Sequence, residues 1–183
     1  MRLTGGDKKG QTLEAPKGRE TRPTTDRVRE ALFNMLAHNP PALPEGVVVL
    51  DLFSGSGALG LECLSRGAAH VTFVEKAAAA ARLIRANLHR LGFQDQAQIL
   101  QADATRLPET EMPAGLILMD PPYAETRLWQ EALKSAQDAG WVGTETVIIV
   151  ESAGPEALDV PEGYGITWER RYGDSRLTRF ERA

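Results

Sequence analysis

Residues 47–60 read VVVLDLFSGSGALG, and the fold follows from how this stretch is parsed. "VVVLDLF" is short, apolar and β-branched, as a strand buried on both faces should be. "SGSGALG" then turns the chain into a helical stretch that runs to about Arg66. A strand, a glycine turn and a helix within twenty or so residues open a βαβ unit, which predicts a parallel sheet.

Working outward from there, the same alternation continues. "HVTFVE" is a second strand, "AAAAARLIRANLHRLG" an Ala-rich helix with Leu83, Leu88 and Leu91 inward, "AQILQAD" a third strand and "AGLILMD" a fourth. "TRLWQEALKSAQDAG" is a helix and "ETVIIVES" a fifth strand, while "YGITWERRYGDSRLTRFER" reads as two strands joined by "GDS" in hairpin style. The expectation is an α/β, Rossmann-like chain with a mostly parallel seven-stranded sheet and an antiparallel C-terminal hairpin. Upstream, "RPTTDRVREALFNMLAH" is a helix of roughly 13 residues, with Thr24 or Thr25 able to cap and Val28, Leu32, Met35 and Leu36 on one face. Before it, "RLTGGDKKGQTLEAP" suggests a short hairpin arm around Gly5, Gly6 and Gly10. The whole is read as a single domain over 1–183, with a basic arm at 1–22 and the α/β core at 23–183.

Composition removes several classes. At 183 residues the chain suits one domain. No window has the roughly 18–20 apolar residues of a membrane span, and the first residues are too polar for a signal peptide, so a cytoplasmic protein is expected. Cys63 stands among Leu61 and Leu64 as a small buried hydrophobe, which leaves neither disulfide nor structural zinc. His38, His70 and His89 lack ligand spacing, so no metal is expected. No long apolar heptads appear, and a monomer is the default. Net charge is −4, yet residues 1–30 carry eight Lys/Arg against five acids and 163–183 carry five against three. Basic ends therefore flank an acidic body.

In open α/β sheets ligands bind beyond the carboxyl ends of the strands. Asp51, Glu75, Asp103 and Asp120 each stand at or just past such an end. Four acids at equivalent positions are hard to explain as helix caps. Gly55, Gly57 and Gly60 match the G-x-G-x-x-G dinucleotide fingerprint, and Glu75 lies where an acid would take ribose hydroxyls. Asp51, however, would sit beside the pyrophosphate, and like charges at that range repel. A cationic ligand without phosphate, such as S-adenosylmethionine, suits the site better.

"DLFSGSGALG", "VEK", "QAD" and "DPPY", in this order, resemble the motifs of class I S-adenosylmethionine-dependent methyltransferases. With "RPTTDRVREALFNML" upstream, the chain resembles the RsmD family, which methylates the exocyclic N2 of a guanine in 16S ribosomal RNA. The likeness runs from about Gly18 to Arg179. It implies that Asp51, Phe53, Gly55 and Gly57 hold the methionine end of the cofactor, Glu75 the ribose hydroxyls and Asp103 the adenine amino group, with Lys76 and Ala104 also among the cofactor-binding residues. Thr24, Thr25 and Arg27 match an upstream motif that closes over the cofactor.

"DPPY" leaves an apolar strand through an acid, two prolines and a tyrosine, a costly exit for folding alone. A guanine amino group shares its lone pair with the ring, and two acceptors aimed at its N–H groups would free that pair. Asp120 and the carbonyl of Pro121 are assigned as those acceptors, Pro122 stiffens the turn, and Tyr123 stacks on the base. The basic ends then acquire a partner: Lys8, Lys9, Lys17, Arg19, Arg22 and Arg176 are candidate phosphate contacts for 16S rRNA within a small-subunit assembly. The tetrad is shared with enzymes acting on DNA adenine-N6 or protein glutamine. Against these stand the lack of a target-recognition domain and Asp120 where glutamine enzymes carry Asn.

Overall fold

A computed structural model describes residues 1–15, 23–122, 127–154 and 157–183. In chain order it forms α1 (Pro23–His38), β1 (Val48–Leu52), α2 (Ala58–Ser65), β2 (His70–Val74), α3 (Ala78–Leu91), β3 (Ala97–Leu100), β4 (Ala114–Met119), α4 (Leu128–Asp138), β5 (Val142–Ala153), β6 (Tyr164–Tyr172) and β7 (Ser175–Arg182). The strands make one seven-stranded sheet in the order β3-β2-β1-β4-β5-β7-β6. β1 to β5 are mutually parallel, whereas β7 runs antiparallel to both β5 and β6. The order reverses between β1 and β4, so their carboxyl ends flank the topological switch point where ligands of such sheets bind.

The expected elements are present, with boundaries that shift by a few residues, as at α1 and β5. α1 has 16 residues rather than roughly 13, beginning at Pro23, a residue whose fixed φ suits a first helical turn. β5 starts earlier than expected, at Val142, across a register shift between Ala114 and Leu116 of β4. That early segment, Val142 to Glu145, is half-buried or exposed, and an apolar-run reading passes over such residues.

Alternation along the strands divides the core in two. On one face Phe33 and Leu36 of α1, Leu61 and Leu64 of α2, and Ile84 and Leu88 of α3 pack on Val49, Val71, Leu116 and Ile149. On the other, Trp129, Ala132 and Leu133 of α4 cover Leu50, Ile117, Ile148 and Phe180, with Trp129 stacked on Phe180 at 5.6 Å. Cys63 is buried in the first core, where burial pushes its thiol well above the usual range.

Residues 1–15 form the expected hairpin: Leu3 N–H donates to the Gln11 carbonyl and Leu13 N–H to that of Met1, each at 3.0 Å. Leu3 and Leu13 are buried in the first core, so the arm is part of the domain rather than a free strap. Its direction fixes where its lysines stand. At the tip, Asp7 N–H bonds the carbonyl of Ser65, the last residue of α2, and the Lys8 ammonium lies 5.9 Å from the ring of Phe93, just past α3. Both helices leave the carboxyl ends of strands and run back across the sheet, so their last residues mark its amino end. Lys8 and Lys9 therefore stand at the opposite end of the sheet from the four acids.

Candidate active site

β1 delivers Asp51 to the face covered by α2, where it is 1 % exposed and accepts a hydrogen bond from Gly60 N–H at 3.0 Å. Gly60 is required by close approach: a Cβ there would stand 2.3 Å from the Phe73 ring and 2.9 Å from the Asp51 carboxylate. Burial, followed by the neighbouring charge of Glu75, outweighs the Gly60 bond and raises the Asp51 carboxyl from 3.8 to about 7. The chain then turns through three left-handed positions at every second residue: Phe53 at φ 60°, Gly55 at 55° and Gly57 at 79°. For a phenylalanine that conformation costs about 1–3 kcal/mol and is typical of a ligand-facing turn. Ser54, a residue the motif reading passed over, braces the turn by donating from Oγ to the carbonyls of Asp51 at 2.6 Å and Val74 at 3.2 Å. Its signal was available, since a serine directly after a strand readily bonds local backbone.

Glu75 follows β2 and folds over the glycine turn. Its carboxylate accepts from Gly55 N–H at 2.8 Å and from Ala77 N–H at 2.7 Å. A carboxylate thus occupies the loop donor that a pyrophosphate would need, and Asp51 behind it adds a second carboxyl. This donor set rejects a dinucleotide and fits a cationic ligand bearing ribose hydroxyls.

Past β3, Asp103 is held by Lys76 at 2.9 Å and by the N–H and hydroxyl of Thr105 at 3.0 and 2.8 Å, and these bonds keep its carboxyl well below the usual range. Ala104 beside it is buried. Past β4, Asp120 is exposed at the switch point, Pro121 is buried and Pro122 exposed. The paired register of β1 with β2 and β4 brings Asp51, Glu75 and Asp120 to the same end of adjacent strands. Arg27 is exposed on the first turn of α1. Thr24 and Thr25 lie in the same turn with their side chains outside the described residues, as do Lys17, Arg19, Arg22 and Tyr123 altogether.

Arg176 departs from its expected role. Its side chain is 9 % exposed and ion-paired with Glu169 across the β6–β7 hairpin, so it braces that hairpin instead of offering a free cation to phosphate. No group of His, Cys, Asp and Glu able to hold a metal is present among the described residues. Nor is any helix among them long and apolar enough to cross a membrane.

Known proteins resemble this chain over nearly its whole length. The family model described as "Conserved hypothetical protein 95" matches residues 1–181. Ribosomal RNA small subunit methyltransferase D of Escherichia coli K12 is 36% identical over 184 residues, covering 100% of this chain and 90% of that protein. The protein of the same name from Haemophilus influenzae is 31% identical over 177 residues, covering 94% and 89%. The solved structure of yhhF from Escherichia coli superposes with a TM-score of 0.85 at 34% identity, covering 100% of this chain and 97% of that one.

Proposed function

Since the chain belongs to the family described as conserved hypothetical protein 95, the RsmD family, we infer that it is an S-adenosylmethionine-dependent ribosomal RNA methyltransferase acting on the exocyclic N2 of a guanine in 16S rRNA. The observation that carries this reading is the convergence of Asp51, Glu75 and Asp120 at one end of adjacent parallel strands, on either side of the switch point.

Each residue has a role in it. The turn at Phe53, Gly55 and Gly57 lets the backbone approach the methionine end closely, with Asp51 behind it as counter-charge. Glu75 exchanges its loop bonds for ribose hydroxyls, and Asp103, positioned by Lys76 and Thr105, faces the adenine beside Ala104. Thr24, Thr25 and Arg27 close the site from α1. The cofactor supplies an electrophilic methyl group on a sulfonium.

Asp120 and the Pro121 carbonyl accept from the two N–H groups of the guanine amino nitrogen, which then points its lone pair at that methyl. Methyl transfer from the bound cofactor would form the new N–C bond as the methyl–sulfur bond breaks, and the nitrogen would lose one proton to Asp120 or to water. Because the acceptors are fixed before the base arrives, their arrangement costs nothing at the moment of reaction. Tyr123 stacks on the base, and Pro122 holds the turn. A base inside folded RNA must be splayed out to reach Asp120.

The test is transfer of tritiated methyl from S-adenosylmethionine to naked 16S RNA, to small ribosomal subunits lacking the mark, to duplex DNA and to a protein extract in parallel. Label in RNA or subunits, recovered on digestion as N2-methylguanosine, is the expected outcome. Label confined to DNA or protein overturns the substrate and leaves the fold and cofactor standing.

Asp51 adds a pH dependence. A carboxyl raised from 3.8 to about 7 favours the folded chain fully below pH 3.8, and that contribution is lost as pH rises through 7. A cationic ligand reverses the preference by stabilising the ionised form, so binding releases a proton. Affinity for S-adenosylmethionine is expected to rise between about pH 6 and 8, by up to about tenfold per unit below 7. Titration calorimetry on the parent and on Asp51→Asn checks this, and parallel pH profiles for the two proteins would sink it.

A further inference from the structure

Lys8 and Lys9 stand at the far end of the sheet and Arg176 is paired, while Lys17, Arg19 and Arg22 remain proposed phosphate contacts; the described residues offer a further surface for RNA near the reacting base. A groove of about 400 Å³ lies between α1 and the sheet-edge strand β6, lined by Asn34, Met35, Asn39, Trp168, Arg170 and Tyr172. Trp168, Arg170 and Tyr172 alternate along β6 and so share the face that looks at α1. Trp168 and Tyr172 rest on the first core with part of each side chain open. The Arg170 guanidinium is exposed and lies 6.0 Å from the Tyr172 ring centre. None of the groove's lining side chains is acidic, although the chain as a whole carries −4.

The groove also opens at the right end of the sheet. Ser175 of β7 pairs with both Ala153, the last residue of β5, and Tyr172, the last residue of β6. Tyr172 is therefore level with the carboxyl ends of the parallel strands. It stands three strand spacings from β4, or about 14 Å in the plane of the sheet from the strand that presents Asp120. That is the reach of a few nucleotides.

We propose that this groove seats two successive nucleotides of the RNA strand flanking the target guanine, one base stacked on Tyr172 and the next on Trp168, about 13 Å apart along β6, with the phosphate between them held by Arg170. The inference rests on the RNA reading above. Aromatic faces with a nearby guanidinium and no acid are what an unpaired nucleotide needs, because every base has a stacking face and every linkage a negative charge. Among the described residues β6 pairs on one side only, with β7, and its outer backbone groups are available to a polar ligand.

The test uses the full chain with Arg170→Ala, Tyr172→Leu and the pair, the leucine keeping the apolar bulk that packs inward. Methyl transfer to unmethylated small subunits, binding of a fluorescent oligouridylate across a salt series, and calorimetry with S-adenosylmethionine are measured together. For the pair, KM for subunits is expected to rise about 10- to 100-fold, the loss falling on KM rather than kcat, with oligouridylate binding weakened in parallel. Arg170→Ala alone should reduce the salt slope of that binding by about 0.7. Unaltered cofactor affinity marks the variants as folded.

An unchanged KM overturns the groove while wild-type transfer to RNA leaves the enzymatic reading intact. A raised KM with unchanged oligouridylate binding also overturns it and assigns the face to a protein of the subunit. A wild-type chain that methylates no RNA removes the premise and the groove together.

Discussion

Replacing Asp120 by alanine is expected to lower methyl transfer about 10²–10³-fold while leaving affinity for S-adenosylmethionine within a few-fold of the parent. The residue stands exposed at the end of β4, with Pro121 buried directly behind it. Its proposed task exists only as the amino nitrogen turns pyramidal, so its removal should fall on kcat far more than on cofactor binding. Asp120→Asn separates charge from geometry. An amide oxygen still accepts one N–H, so an intermediate loss is expected if acceptance matters, and a loss equal to alanine's if the negative charge does the work. Single-turnover transfer with the enzyme in excess over subunits reads both. Undiminished transfer by Asp120→Ala would remove this acid from the mechanism.

The second large effect is on stability and comes from a residue with no place in the motifs. Glu62 of α2 is fully buried and accepts from Thr4 N–H at 2.9 Å, Thr4 Oγ1 at 2.7 Å, Arg29 Nε at 3.3 Å and Arg66 Nε at 2.9 Å. Arg29 also bonds Asp26 at 3.0 Å and the carbonyl of Arg2. One carboxylate thus joins the arm, α1 and α2. Substituting leucine leaves the Arg66 guanidinium, 17 % exposed, without the carboxylate it pairs with, and the Arg29 guanidinium, 4 % exposed, with Asp26 as its remaining counter-charge. Breaking a buried pair in this way costs about 3–5 kcal/mol, which for a chain of this size lowers the thermal midpoint by about 10 °C. Hydrogen exchange should show the amides of Leu3 and Leu13 losing protection first, because the arm is the thinnest element the network holds. A midpoint shift under about 2 °C would show that water replaces the lost partner.

That network and the site differ in how legible they were. Asp51, Glu75, Asp103 and Asp120 could be found because strand periodicity marks where each strand ends, and the residue at that end is fixed by counting. The positive-φ turn was legible for a similar reason: glycines advertise it, although Phe53 in the same conformation does not. Glu62 gave no signal, since a glutamate in a helix is ordinarily solvated, and only the fold shows Arg29 arriving 33 positions away.

What the sequence alone determined is whatever local periodicity and residue chemistry specify: the alternation of strands and helices, the glycine turn, the acids at strand ends and the prolines after Asp120. Tertiary structure decided what depends on long-range burial. Leu3 and Leu13 show that the arm has apolar residues to hide, but docking along α2 and α3 chose the end to which Lys8 and Lys9 point. Arg176 reads as a surface cation until Glu169 meets it across a hairpin. The groove of Trp168, Arg170 and Tyr172 exists because Arg179 of β7 holds the end of α1 against the hairpin through the carbonyls of Asn39 at 3.2 Å and Pro40 at 2.8 Å. Those partners lie about 140 residues apart, and a repeat of two or 3.6 residues carries no information at that separation.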